Sequence, residues 1–427
     1  MAGAARGTAG DAPRPPSALP RLLAAPVKGV RRVARPATAS SPEFDLAYVR
    51  RDPQTRDSGS PIVMIPGGPG LGSVLPYRRF RRDAAARGLD VIMMEHRGIG
   101  LSRADRAGRS LPLSAMRLVD VIDDLAAVLD REGIERAIIA GSSYGSYVAA
   151  GFGVRHPDRV AGMLLDSTLQ SAADREVERA LIRRLFVDAD TRIAAAVQEL
   201  LHDGEDPRIL LGVVRAAYEL GGEELLEPLL RQRLHDAHGG GRRSRAGHSH
   251  SPVWGALETY VDRAESEAHV PGYYEFDLVG EIAFRELGFG PDPDGEALDP
   301  SLSYAPVADR FPAFAGEPFD LPAAATGFDW PLVLLTGSRD LRTPAAIARR
   351  LARTVPDAVL VEIENGHSAL ESHPLALLHA LGRLSRGEQH RLPAESGLLN
   401  ALPRRGLVAG LPRLLRTGTR WEAALRS

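Results

Sequence analysis

A serine hydroxyl becomes a nucleophile when a histidine takes its proton and a carboxylate holds that histidine in one tautomer. This chain carries a serine framed for such work. In residues 136–154, RAIIAGSSYGSYVAAGFGV, Ser143 has Gly141 two positions before it and Gly145 two positions after. A strand that reverses into a helix at one residue crowds the neighbouring Cβ positions, so small residues are needed on both sides. The adjacent Ser142 lacks that frame. Two later apolar runs end in the complementary groups: PLVLLT leads into Gly337-Ser338-Arg339-Asp340, and AVLVEI leads into Glu364-Asn365-Gly366-His367. The spacing predicts Ser143 as nucleophile, Asp340 as orienting acid and His367 as base. Asp166 also ends an apolar run and is the rival acid. A turn role is assigned to it, and another to His96, which precedes the nucleophile in the chain.

Such groups must come from loops at the carboxyl edge of a sheet, and the flanking pattern supplies one. Short apolar runs at 61–65 (PIVMI), 90–94 (DVIMM), 137–140 and 160–165 alternate with helical spacing, as at Leu118, Ile122, Leu125 and Leu129, closed by Gly133. Alternation of this kind predicts a parallel sheet with right-handed crossovers. FDLAYVR at 44–50 predicts an earlier antiparallel strand. The run at 61–65 stops at Pro66-Gly67-Gly68-Pro69-Gly70, where missing Cβ atoms let a backbone N–H face a substrate oxygen; Pro and Gly equally favour a plain tight turn. The N–H of Tyr144 points into the same space. Between about 170 and 329 the rhythm lapses into helical pattern, then resumes at 331. The expected organisation is a core at 37–169 and 330–385, a mostly helical cap at 170–329, and extensions at 1–36 and 386–427.

Composition fits this reading. A hydrophobic content of 44% with 25% charged residues is that of a globular protein, and the absence of cysteine excludes disulfides, thiol nucleophiles and Cys-ligated metals. Charge is unevenly spread under the net −2. Residues 1–36 carry seven basic groups against Asp11, and residues 386–427 carry eight arginines against Glu388, Glu395 and Glu422, so the body between is acidic. Residues 1–36 lack periodicity and are expected to form a disordered basic tail. The apolar stretch 22–27 is too short and broken for a signal peptide, and no run approaches the length of a membrane span, so a cytoplasmic protein without stable membrane insertion is expected. Four histidines among the glycines and arginines of 235–250 lack the partners and fixed spacing of a metal site. No metal, cofactor or nucleic-acid partner is expected.

The segments EHRGIGLS at 95–102, GSSYGS at 141–146, GSRDLRTP at 337–344 and NGHSAL at 365–370, with the glycine loop at 66–70, resemble motifs of the α/β-hydrolase superfamily. They are most similar to those of proline iminopeptidase and tripeptidyl aminopeptidase-like serine peptidases. The resemblance spans residues 45–385 and is weakest in the cap. It implies an α/β-hydrolase fold, a mostly parallel sheet with an inserted helical cap, and an oxyanion hole formed by the N–H groups of Gly68 and Tyr144. Pro66 stands where the family usually has His, and Glu95 where it usually has Asp. In such aminopeptidases cap carboxylates hold the substrate's ammonium, and EIAFRE at 281–286 is similar to such a segment, which makes Glu286 the candidate anchor. The implied activity is release of N-terminal residues from peptides through an acyl-enzyme. An esterase or amidase for small molecules, or a non-catalytic binding protein on the same scaffold, are the alternative readings.

Overall fold

The computed structural model describes residues 14–51, 59–240, 251–264 and 269–404, together with a few positions beyond 409. Eight strands form a single sheet: β1 Val30–Arg35, β2 Phe44–Arg51, β3 Ile62–Ile65, β4 Val91–Met94, β5 Ala137–Ser142, β6 Val160–Asp166, β7 Leu332–Gly337 and β8 Ala358–Ile363. Their order across the sheet is β1-β2-β4-β3-β5-β6-β7-β8. β1 and β2 run antiparallel, as do β2 and β4, and every later pairing is parallel. This is the α/β-hydrolase fold with a helical insert.

The strands are apolar on both faces because both faces are covered. Val63, Ile92, Ile139 and Leu165 enter one core, with the helices Leu118–Arg131 and Tyr144–Arg155. Their neighbours Ile62, Val91, Ile138 and Leu164 enter the opposite core, with the helix Pro374–Ser385. One step along the chain changes the face, as the period of two requires.

The insert has a core of its own. Helices Asp174–Phe186, Arg192–His202, Pro207–Gly221, Glu223–His235 and Pro252–Ala264 bring together Phe186, Val197, Leu211, Leu226 and Trp254. Local signals set their limits. Thr191 caps one helix by accepting from Ala194 N–H at 3.1 Å, and Asp206 caps the next by accepting from Arg208 N–H at 2.8 Å, with Pro207 at the first position. The periodic stretches 177–201 and 209–234 are two helices each, the second stretch divided at Gly222, whose φ is 66°.

The expectation of a disordered tail at 1–36 is corrected for its described part. Leu19–Ala24 is a helix and β1 is the sheet's edge strand, paired from Val30↔Val49 to Arg35↔Phe44. The composition looked solvated because its charges have partners elsewhere: Arg31 Nη1 lies 2.5 Å from Glu132, and Arg35 Nε 2.7 Å from the buried Asp124. Residues 1–13 lie outside the described part. After the core, Gln389–Glu395 and Ser396–Ala401 pack on β8, burying Leu392 and Leu399. Among the described residues no helix is long and apolar enough to cross a membrane.

Candidate active site

The reversal after β5 is as tight as the glycines imply. Ser143 has φ 53° and ψ −122°, a left-handed conformation that costs a non-glycine residue about 1–3 kcal/mol. A Cβ on Gly141 would stand 1.9 Å from the Gly145 carbonyl oxygen, and one on Gly145 would stand 2.2 Å from that of Ile65. The Ser143 N–H donates to the Asp166 carbonyl at 2.9 Å, which ties the turn to β6.

Two loops from the same sheet edge deliver the other groups. His367 Nε2 lies 2.9 Å from Ser143 Oγ, and His367 Nδ1 lies 3.0 and 3.2 Å from the two carboxylate oxygens of Asp340. Asp340 is buried and further accepts from Arg342 N–H at 3.0 Å, Thr343 N–H at 2.9 Å and the Thr343 hydroxyl at 2.7 Å. Burial alone would raise its pKa. The His367 charge and these hydrogen bonds outweigh it, so Asp340 is held below the ordinary carboxylate value. For His367, burial acts downward, and the charge and hydrogen bond of Asp340 overcome it, leaving the imidazole above its ordinary value. With Nδ1–H committed to Asp340, Nε2 is left to accept the serine proton.

Asp166, the rival acid, does something else. Its carboxylate accepts from the Ser142 hydroxyl at 2.7 Å and from the N–H groups of Ala369 and Leu370, both at 3.0 Å. It thus clamps the segment that follows His367 onto the strand that leads to Ser143. His96 is buried against the residue after Ser143: its Nε2 lies 2.9 Å from the Tyr144 hydroxyl and its Nδ1 2.6 Å from the Arg97 carbonyl. Burial lowers its pKa to about 4, so it is neutral, donating from Nδ1 and accepting at Nε2.

Tyr144 is the first residue of its helix, so its N–H has no intrahelical acceptor. Gly67 and Gly68 line the same cavity as Ser143. Of the two, Gly67 makes the closer approach: a Cβ there would meet Ser143 Cβ at 3.1 Å and Oγ at 3.7 Å. Gly68 has φ 112°, and its added Cβ would strike Gly70 N at 2.6 Å, so its backbone is open only to glycine. Pro66 offers the loop no polar side chain. Glu95 supplies an anchor further along, accepting from Ser73 N–H at 2.5 Å and Val74 N–H at 2.9 Å. Fully buried, Glu95 is pushed up to about 7, despite the hydrogen bonds that act against the rise.

Above these groups opens a cavity of about 440 Å³ between the core and the insert. It is polar on one side, where Arg175, Glu178, Arg215 and Arg342 face it. The position expected for the ammonium anchor is corrected. Glu286 accepts from Leu118 N–H at 2.7 Å and from Arg285 at 2.8 Å, so its carboxylate caps the helix Leu118–Arg131, and it does not line the cavity. Two insert carboxylates do, Asp174, which pairs with Arg350 at 2.5 Å, and Glu178, 3.5 Å from Arg215 and 3.9 Å from Arg175. A signal for it was present: Asp174, Glu178 and Ile182 recur at four-residue spacing and form the buried stripe of one helix, with charges standing where apolar residues are the rule. Of the histidine-rich stretch, residues 241–250 lie outside the described part, and His238 bonds Asp203 at 2.9 Å. Among the described residues no three potential ligands converge on a metal position.

The family described as alpha/beta hydrolase fold matches residues 60–201. A probable proline iminopeptidase of Leptolyngbya boryana is 30% identical over 111 residues, which are 25% of this chain and 31% of that protein. Proline iminopeptidase of Neisseria gonorrhoeae is 24% identical over 327 residues, 74% of this chain and 86% of its own. Epoxide hydrolase B of Mycobacterium tuberculosis is 32% identical over 106 residues, 25% of this chain and 28% of its own. The chain spans less than half the length of the first curated relatives it matches. It has the α/β-hydrolase fold and is distantly homologous to the proline iminopeptidases.

Proposed function

We propose that the protein is a serine hydrolase that releases N-terminal residues from short peptides through an acyl-enzyme on Ser143. The observation that carries the hydrolase reading is the continuous chain from Ser143 Oγ through His367 to Asp340, with contacts of 2.9 and 3.0 Å. His367 removes the serine proton as Ser143 attacks the substrate carbonyl, and the anionic Asp340 stabilises the imidazolium. The N–H groups of Tyr144 and Gly68 receive the negative oxygen of the tetrahedral intermediate. His367 then protonates the departing amine, and a water activated in the same way releases the acyl group. The peptide part of the reading rests on the distant homology to proline iminopeptidases.

One observation favours an esterase or amidase instead. Both insert carboxylates in the cavity are already paired, Asp174 with Arg350 and Glu178 with Arg175 and Arg215, so a substrate ammonium would compete with guanidiniums for either. Labelling with a fluorophosphonate tests the nucleophile, and loss of labelling is expected in Ser143→Ala alone of the two proteins. Turnover of free-amine aminoacyl substrates against N-acetylated counterparts and simple acetyl esters tests the substrate. Faster cleavage of the free-amine set is expected; preference for the blocked or neutral set overturns the aminopeptidase reading and leaves the hydrolase reading standing.

A further inference from the structure

The wall of the cavity contains a cation whose donors are not used. Arg175 lines the cavity at the start of the helix Asp174–Phe186, with 13% of its side chain exposed. Its Nε is buried without a hydrogen-bond partner. Its Nη1 lies 3.9 Å from Glu178, beyond hydrogen-bond range, and the guanidinium sits over the Phe289 ring at 5.9 Å. A guanidinium offers five donors in a fork that fits a carboxylate, and burying them unused is costly. An anion would complete the site.

The surroundings say which anion. Arg215 and Arg342 face the same space, each with partners: Arg215 donates to the Ser303 hydroxyl at 3.0 Å and lies 3.5 Å from Glu178, while Arg342 lies 3.4 Å from Glu219. The other carboxylates lining the cavity are engaged, Asp174 with Arg350 at 2.5 Å and Glu371 with the Tyr77 hydroxyl. Those carboxylates and the guanidiniums beside them are already engaged, whereas Arg175 presents one unfilled fork, which a single carboxylate fits. Arg342 follows Asp340 by two residues, so this charged wall is continuous with the loop that carries the triad acid. Arg175, Arg215, Arg342 and Ser143 line one cavity, so a group bound at the guanidiniums shares that space with whatever meets Ser143.

We propose that the substrates of this site carry a carboxylate, which Arg175 receives with the support of Arg215 and Arg342. The inference rests on the hydrolase reading of Ser143. The carboxylate can belong to the acyl part or to the leaving part, such as the C-terminus of a dipeptide, and both present the same chemistry to a guanidinium.

Two matched pairs separate these sources: 4-nitrophenyl hydrogen glutarate against 4-nitrophenyl methyl glutarate, and alanyl-alanine against alanyl-alaninamide. In one of them the acid is expected to have the larger kcat/KM by about ten- to a hundredfold, the usual value of a desolvated charge-assisted pair. The preference should shrink in Arg175→Gln and survive in part in Arg175→Lys. A ratio at or below one in both pairs overturns the proposal, as does an unchanged ratio in Arg175→Gln. Should Arg175→Gln not fold, calorimetry of glutarate against glutaramide with the Ser143→Ala protein decides: tighter glutarate supports the anion site, and equal or weaker glutarate overturns it. That measurement needs no chemistry, so it stands even if fluorophosphonate labelling and all turnover are absent, a result that would refute the hydrolase reading by itself.

Discussion

Ser143 keeps a strained backbone because its position above the sheet edge depends on it. Replacing its side chain therefore removes chemistry without removing a structural support. In Ser143→Ala, hydrolysis should fall by several orders of magnitude while the melting temperature stays within a few degrees. His367→Ala should be about as damaging, and the double variant hardly worse than either single one, because the three groups act as a unit; effects that multiply would refute a shared triad. The pH profile follows from the sign of the His367 shift. A base must be neutral to accept a proton, so kcat/KM should fall on the acid side as His367 protonates. Burial acts to lower that pKa but Asp340 more than compensates, so the acid limb is expected above the ordinary imidazole value of about 6.5. Asp340→Asn removes the compensating charge and leaves the burial. Its limb should move to lower pH, with a rate loss of up to about 10⁴-fold as the tautomer is no longer held. A limb that stays in place or moves upward would contradict the assignment.

Between β5 and the His367 loop, geometry depends on a carboxylate that takes no part in the proton transfers. In Asp166→Asn the amide NH₂ would face a backbone N–H in either orientation, that of Ala369 or that of Leu370, so a buried donor loses its acceptor. We expect a stability loss of about 1–3 kcal/mol by denaturant titration and a lower kcat with little change in KM, as His367 drifts from Ser143; an unchanged kcat would show that the clamp is dispensable. This element was only partly legible in the sequence. The strands were, because apolar runs bounded by glycines and alternating with periodic helices leave few other arrangements, and with them came the order of Ser143, Asp340 and His367. What Asp166 touches was not, because the two backbone N–H groups it holds lie more than 200 residues away. Glu286 failed for the same reason. Its local sequence is that of an ordinary helix charge, and only the fold brings it to the first turn of the helix Leu118–Arg131. The charged stripe of Asp174 and Glu178 was readable in principle, since periodicity places both on the buried side of their helix.

Across the whole molecule, charge segregation along the chain becomes charge pairing in space. The basic N-terminal segment lies along the acidic body: Arg14 N–H donates to Asp277 at 3.1 Å, its carbonyl accepts from Arg103 at 2.7 Å, and Arg31 and Arg35 meet Glu132 and Asp124. Two contributions can be separated here. Arg31 and Arg35 retain 37% and 21% of their side-chain exposure, and both acids keep other partners, Glu132 in Arg50 at 2.7 Å and Asp124 in Arg97 at 2.7 Å. Because each buried acid keeps a second guanidinium, neither substitution leaves a buried carboxylate unpaired, so Arg31→Gln and Arg35→Gln should change the melting temperature only slightly. Deleting residues 1–36 does more. It strips β1 from β2, whose Leu46, Ala47, Tyr48 and Val49 are buried, and leaves an unpaired edge of the kind that pairs with other chains. The deletion should therefore lower the melting temperature by several degrees and promote aggregation, well beyond the sum of the two arginine substitutions. The triad loops lie at the other strands of the sheet, so turnover per folded molecule should change far less than stability. If the deleted protein melts with the full chain and stays monodisperse, β1 contributes nothing to the sheet; if the arginine substitutions alone reproduce the loss, the charges and not the backbone ladder hold the segment in place.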